Sequence, residues 1–182
     1  MIEKKPITSM GIDLSATATG LVTLRETGSA IPETLWEMEV KSKGSTGVTR
    51  AKEVVTVIME AIHSQNPDKI VVEGYSLNTK NASSIIPLVE IGGLLRFMLH
   101  IDGLKWYDPR ASEVKKFATG KGNTPKDKVM MHVLKRWNFE AATNNTADAY
   151  VLAAMGLAQA NRLPGITLDM RKIAGSMGIK CN

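Results

Sequence analysis

Ile7-Thr8-Ser9-Met10-Gly11-Ile12-Asp13, followed closely by Thr19-Gly20-Leu21-Val22-Thr23-Leu24, decides the fold. The first run reads as a central strand that ends in a carboxylate. The second returns after a short turn, and Glu33 to Val40 adds a third strand with rough alternation. Such close spacing implies an antiparallel meander. Two more acids repeat the pattern of an apolar element ending in a charge. Glu73 closes Ile70-Val71-Val72, and Asp148 lies in Asn144-Asn145-Thr146-Ala147-Asp148, which opens a helix-like apolar stretch. A buried strand rarely carries a carboxylate at its tip without a partner, because desolvating an unpaired charge is costly. Three such groups in a basic chain suggest a divalent metal site, and metal suggests phosphate chemistry.

Helical spacing of Val54, Val57, Ile58, Ala61 and Ile62 marks a helix over 48–64, stopped by Asn66-Pro67-Asp68. The continuous apolar run at 70–72 suits a strand covered on both faces. A polar loop over 74–82 leads to a helix reaching about His100, with Pro87 expected to bend or interrupt its first turns. Leu104 to Tyr107 supplies a fifth strand. Helices follow over 111–118, over 125–137 where Pro125 suits a first turn, and over 146–161. The tail from about 163 has weak periodicity and reads as a loosely packed extension. No repeat or linker divides the chain, so residues 1–182 read as a single mixed α/β domain.

A length of 182 residues suits one sizeable core, and 43% apolar with 23% charged residues is ordinary for a globular protein. The absence of a long apolar run or signal-type N-terminus argues for a soluble cytoplasmic protein without a membrane partner. Cys181 is a lone cysteine and fits a reducing compartment. Net charge is +5, and Lys115, Lys116, Lys121, Lys126, Lys128, Lys135 and Arg136 are concentrated in one short segment. Part of that set is a solvated helix face; as a group it suits a surface that tracks phosphates. His63, His100 and His132 are scattered without metal spacing, and the tryptophans and methionines read as packing residues.

Singly, each acid has an ordinary explanation: Asp13 in a turn with Ser15, Glu73 as a paired surface group, Asp148 favoured by a helix dipole. Together at element tips they suit two-metal phosphodiester hydrolysis, in which two ions about 3.5–4 Å apart activate water and stabilise the leaving oxygen. Magnesium prefers a few carboxylates and keeps several waters, leaving room for a substrate phosphate.

Gly11-Ile12-Asp13-Leu14-Ser15 with Thr19-Gly20-Leu21-Val22 resembles the first motif of the RuvC Holliday-junction resolvases, within the RNase H-like superfamily. Val71-Val72-Glu73-Gly74-Tyr75 resembles the second. Lys115 and the stretch Gly120 to Lys126 resemble the family's basic segment, and Ala147-Asp148-Ala149 the last motif. Order and spacing agree over roughly residues 7 to 160. The resemblance implies a five-stranded mixed sheet, three antiparallel strands then two parallel, flanked by helices. It implies a homodimer that places paired nicks in branched DNA, above all four-way junctions, with two Mg²⁺ or Mn²⁺ ions per site. By position, Asp13, Glu73 and Asp148 would be ligands, and Lys115 and Lys126 would contact phosphate or support catalysis. Two symmetric cuts need two copies of one site, which a two-fold dimer provides. A compact chain of this type suits a bacteriophage.

Two departures stand out. Asn145 occupies the position, three residues before Asp148, where the bacterial pattern has a second acid. At that spacing both side chains share a helix face. An amide oxygen can coordinate a hard cation but brings no charge, so Asn145 implies a weaker or differently tuned second site rather than a dead one; Asn144 lies off that face and Glu140 is remoter. The resolvases also carry a junction-wedging aromatic after the glutamate. Here Ser76 aligns with it and Tyr75 is the available ring, able to stack on a base or to pack at a strand end.

Two rivals remain. A non-catalytic junction-binding protein, disabled by Asn145, would bind without nicking. Gly11-Ile12-Asp13 with Ser15, Thr17 and Thr19 also resembles the phosphate loop of actin-like sugar kinases. Those need a second lobe and a Gly-rich adenosine loop that this chain lacks, so no nucleotide cofactor is expected.

Overall fold

Apolar residues at alternate positions build the meander and decide which face each strand turns to which helix. The computed structural model describes residues 5–42, 44–75 and 82–180, apart from the side chains of 82–84, 126 and 127. Strand β1 (Thr8–Asp13) pairs antiparallel with β2 (Ala18–Arg25), and β2 with β3 (Glu33–Lys41). Helix α1 (Gly47–Gln65) ends where Asn66 takes the left-handed conformation, its N–H donating to the Ile62 carbonyl. Strand β4 (Lys69–Val72) then lies parallel to β1, with Ile12 beside Val72.

Helix α2 (Ala82–Ile101) continues through Pro87 and leads to the short β5 (Trp106–Tyr107), parallel to β4. Helices α3 (Ala111–Thr119), α4 (Lys126–Trp137), α5 (Asn144–Gln159) and α6 (Leu168–Gly175) follow. The sheet order is β3-β2-β1-β4-β5-β6. Among the described residues, six strands therefore replace the expected five. The sixth, β6 (Ile179–Lys180), adds antiparallel to β5. Two exposed residues are too short a run to show a period of two, which is why the sequence gives no sign of them.

The pleat sorts the core into two layers. Met10, Ile12, Leu21, Ile70 and Val72 pack beneath α1 and α2. Val22, Leu24 and Val71 face the other way, toward α5 and the helices around it. The tail joins this second layer through Leu163, Met170, Ala174 and Met177, all buried, so the segment expected to be loose carries a docked helix.

Helix α5 is buried along nearly its whole length and crosses β1 at very short range. Glycine makes that approach possible on both surfaces. A Cβ on Gly11 would lie 1.9 Å from the Ala149 carbonyl oxygen and 2.5 Å from the Ala153 nitrogen. One on Gly156 would lie 2.1 Å from the Ser9 hydroxyl oxygen. Among the described residues no helix is long and apolar enough to cross a membrane.

Candidate active site

The three acids reach one edge of the sheet by separate routes. Asp13 is the last residue of β1 and is 2% exposed. Glu73 directly follows β4, and its N–H donates to the Ile12 carbonyl at 3.0 Å, which extends the parallel pairing and sets Glu73 beside Asp13. It is half-buried. Asp148 lies in the first turns of α5, is 7% exposed, and precedes the residue whose carbonyl abuts Gly11.

Capping fixes that helix start. The Thr143 hydroxyl accepts the Thr146 N–H at 3.2 Å, and the Thr143 N–H donates to the Thr146 hydroxyl at 3.1 Å. Reciprocal bonds of this kind satisfy donors that a helix end leaves open and set the entry angle of the chain. Gly20, which pairs with Asp13 across β1 and β2, lets this turn settle onto the sheet. A Cβ there would meet the Asn145 carbonyl oxygen at 2.2 Å.

Asn145, the sequence's candidate for a fourth donor, has an unforeseen neighbour. Asn145 donates its side-chain N–H to Glu39 Oε1 at 3.1 Å. Glu39 lies on β3 opposite Gly20, so Asp13, Gly20 and Glu39 form one row across three strands. Burial alone would push the Glu39 carboxyl up. Hydrogen bonds from Thr143, Lys41 and Asn145, with the Lys41 charge, outweigh it and hold the group below its ordinary value. Sequence reasoning passed over Glu39 because it looks like one more polar residue of an edge strand. Only the register with Gly20 relates it to Asp13. Glu37, the next inward-facing acid on β3, accepts the Ala142 N–H at 3.1 Å and pins the segment leading into α5.

Tyr75 lies two residues beyond Glu73, 40% exposed, with the Arg96 guanidinium 4.4 Å over its ring. Arg96 donates to the Glu73 carbonyl at 3.1 Å and to the Gly92 carbonyl at 3.0 Å. Gly92 is the seat of the ring, since a Cβ there would lie 2.8 Å from it. Arg96, another residue the sequence reading missed, thus joins the backbone of Glu73 to the one exposed ring near it. Leu14, Glu73, Gly74, Tyr75 and Leu88 line a small recess of about 40 Å³.

The basic segment meets the same edge through α3. The Gly74 N–H donates to the Pro109 carbonyl at 2.8 Å, tying the start of α3 to Glu73. The turn after α3 folds back along it, with Gly122 against Ser112, and so returns the chain to this end before α4 begins. Lys116, Lys121 and Lys128 are exposed and Lys115 is half-buried. The side chain of Lys126, the position of Ser76 and that of Cys181 lie outside the described residues.

Among the described residues no three His, Cys, Asp or Glu side chains converge as a formed cage for an ion. The backbones bring Asp13, Glu73 and Asp148 to one edge, but the acids are not gathered around a single point. Their donor chemistry fits a magnesium-class ion nevertheless: hard oxygens from three adjacent elements, few enough that the ion would keep waters.

Over residues 9–156 the chain matches the family model described as crossover junction endodeoxyribonuclease RuvC. A crossover junction endodeoxyribonuclease RuvC of Brachyspira hyodysenteriae is 31% identical over 111 residues, which cover 60% of this chain and 66% of that relative, just under two thirds of its length. Among solved structures, Thermus thermophilus RuvC in complex with a Holliday junction substrate is similar at a TM-score of 0.74 and 20% identity, over 96% of this chain and 99% of that one. A second Thermus thermophilus RuvC structure gives 0.69 and 21% over 85% and 97%. At these identities the structural likeness is one of fold.

Proposed function

Because the chain belongs to the RuvC family of crossover junction endodeoxyribonucleases, we propose that it is a metal-dependent endonuclease that resolves four-way DNA junctions. The observation that carries this reading is the placement of Asp13 and Asp148, both buried, at the edge where β4 delivers Glu73. Carboxylates at the tips of adjacent elements are the hard-oxygen donors that a divalent cation takes. Bound Mg²⁺ or Mn²⁺ would polarise the scissile phosphate and supply a nucleophilic water at neutral pH.

This chain's own residues position and orient. Asp13, Glu73 and Asp148 would hold the ions, with Asn145 as a neutral fourth donor. Exposed Lys116, Lys121 and Lys128, with Lys115 and Lys126, would follow the phosphates of a junction arm, and Lys126 would support the charge developing at the cut. Tyr75 would stack on a base unpaired at the branch point.

Helix α2 supports a two-fold dimer. Its inward face buries Ile91, Leu95 and Leu99, while the opposite face exposes Ile86, Val89, Phe97 and Ile101. A helix apolar all round has a second face to cover. A second copy of the chain covers it symmetrically and supplies the second cutting site that paired nicks need. Phe97→Asp is expected to turn the dimer into a monomer in analytical ultracentrifugation. Paired nicking of one junction should fall with it, and the far-UV spectrum should not change.

The direct test compares nicking of four-way, three-way and linear duplex DNA in Mg²⁺, in Mn²⁺ and in chelator. The proposal expects metal-dependent cuts on the four-way substrate. Equal cutting of linear duplex overturns the junction specificity, and tight junction binding with no cut in either metal turns the protein into a binding module.

A further inference from the structure

We propose that Glu39 is a positioning residue that makes a neutral asparagine serve as the fourth donor of the metal site. The proposal deepens the metal-nuclease reading and rests on it. An ionised carboxylate only accepts hydrogen bonds, so the Asn145 atom 3.1 Å from Glu39 Oε1 must be the amide nitrogen. Donor and acceptor of a primary amide diverge within one rigid plane. Committing the nitrogen to Glu39 therefore commits Oδ1 to the side away from β3. Across Gly20, the strand on that side carries Asp13.

Position 145 is thereby set in both location and orientation. Location comes from the helix: the first turn of α5 rests on Gly20, where a Cβ would strike the Asn145 carbonyl. Orientation comes from Glu39, itself held by Lys41 at 3.1 Å and only 15% exposed in its side chain. A negative charge behind an amide also polarises its oxygen, which improves it as a donor to a hard cation, as carboxylates behind ligating histidines do. Charge absent from residue 145 is thus supplied one residue further out. An aspartate at 145 would instead face Glu39 as a like charge, so Glu39 and Asn145 form a matched pair.

Manganese titrated by calorimetry into the protein tests this in four forms: wild type, Glu39→Ala, Asn145→Asp and the double variant, alanine being used because a glutamine would still accept the Asn145 N–H. In the wild-type background, Glu39→Ala should weaken Mn²⁺ binding by about 10-fold or more, the range typical of lost outer-shell partners. In the Asn145→Asp background the same change should cost no more than about threefold, because a carboxylate needs no orienting and the substitution also removes the like charge facing it. Equal losses in both backgrounds would mean that Glu39 acts as a charge or ligand in its own right, and would overturn the proposal. So would an unchanged affinity in Glu39→Ala. Asp13→Asn serves as the control for the parent reading. If it leaves the Mn²⁺ isotherm of the wild type unchanged, the metal site itself is wrong, and the assignment of Glu39 falls with it. Circular dichroism of each variant separates these results from misfolding.

Discussion

Asp13→Asn should lower the rate of junction nicking by roughly 1,000-fold or more, well beyond the 10–100-fold typical of outer-shell changes. Affinity for the same four-way junction in the absence of metal should stay within about threefold, because the phosphate contacts proposed above belong to the basic residues of α3, α4 and the turn between them. The substitution is nearly isosteric and Asp13 is 2% exposed, so the packing around β1 is kept while one negative charge is removed. Single-turnover nicking under saturating protein, beside a binding titration on the uncut junction, separates the two effects. A variant that cuts within tenfold of wild type would remove Asp13 from the reaction. One that loses binding and cutting in parallel would give it a role in DNA recognition instead.

Gly11→Ala should be the most damaging single methyl that the chain can receive at the β1–α5 contact. The added carbon would meet the Ala149 carbonyl oxygen at 1.9 Å and the Ala153 nitrogen at 2.5 Å. Both are backbone atoms of a buried helix, so no side chain can rotate out of the way. We expect a loss of at least about 3 kcal/mol, the upper end of what overpacking normally costs. For a chain of this size that corresponds to a fall in melting temperature of roughly 6–12 °C. Thermal unfolding followed by circular dichroism measures it. Gly28, with open space around it but φ of +72°, is the comparison that separates backbone strain from collision, and its alanine variant should be much milder.

Much of this was legible in the chain because strand periodicity and the placement of acids at element tips are local signals. The run from Ile7 to Asp13, its return through Thr19 to Leu24, and the burst of apolar residues before Glu73 each announce a strand within a few residues. What stayed hidden depends on register. Nothing near Glu39 relates it to Asp13, since the link runs through pairing with Gly20 across two strand boundaries. Arg96 was invisible for the same reason: its partners, Tyr75 and the Glu73 carbonyl, are brought to it by the packing of α2. Strand β6 escaped because two residues carry no period. The lysines were legible as a set, but the placement of the segment that carries them relative to the carboxylates was not. It is fixed by the Gly74–Pro109 bond and by the folded-back turn at Gly122.

The docking of α5 across Gly11 also bears on the birth of the protein. Asp13 and Glu73 leave the ribosome well before Asp148 and the helix that holds it. Contacts between such distant segments form late, since loop closure must be met before they can repay it. A nascent or truncated chain therefore carries two of the acids on an unfinished sheet and lacks the third. On the proposed site, a chain that stops short of residue 148 would be an incomplete nuclease, so cutting would wait on the last of the three acids to be made.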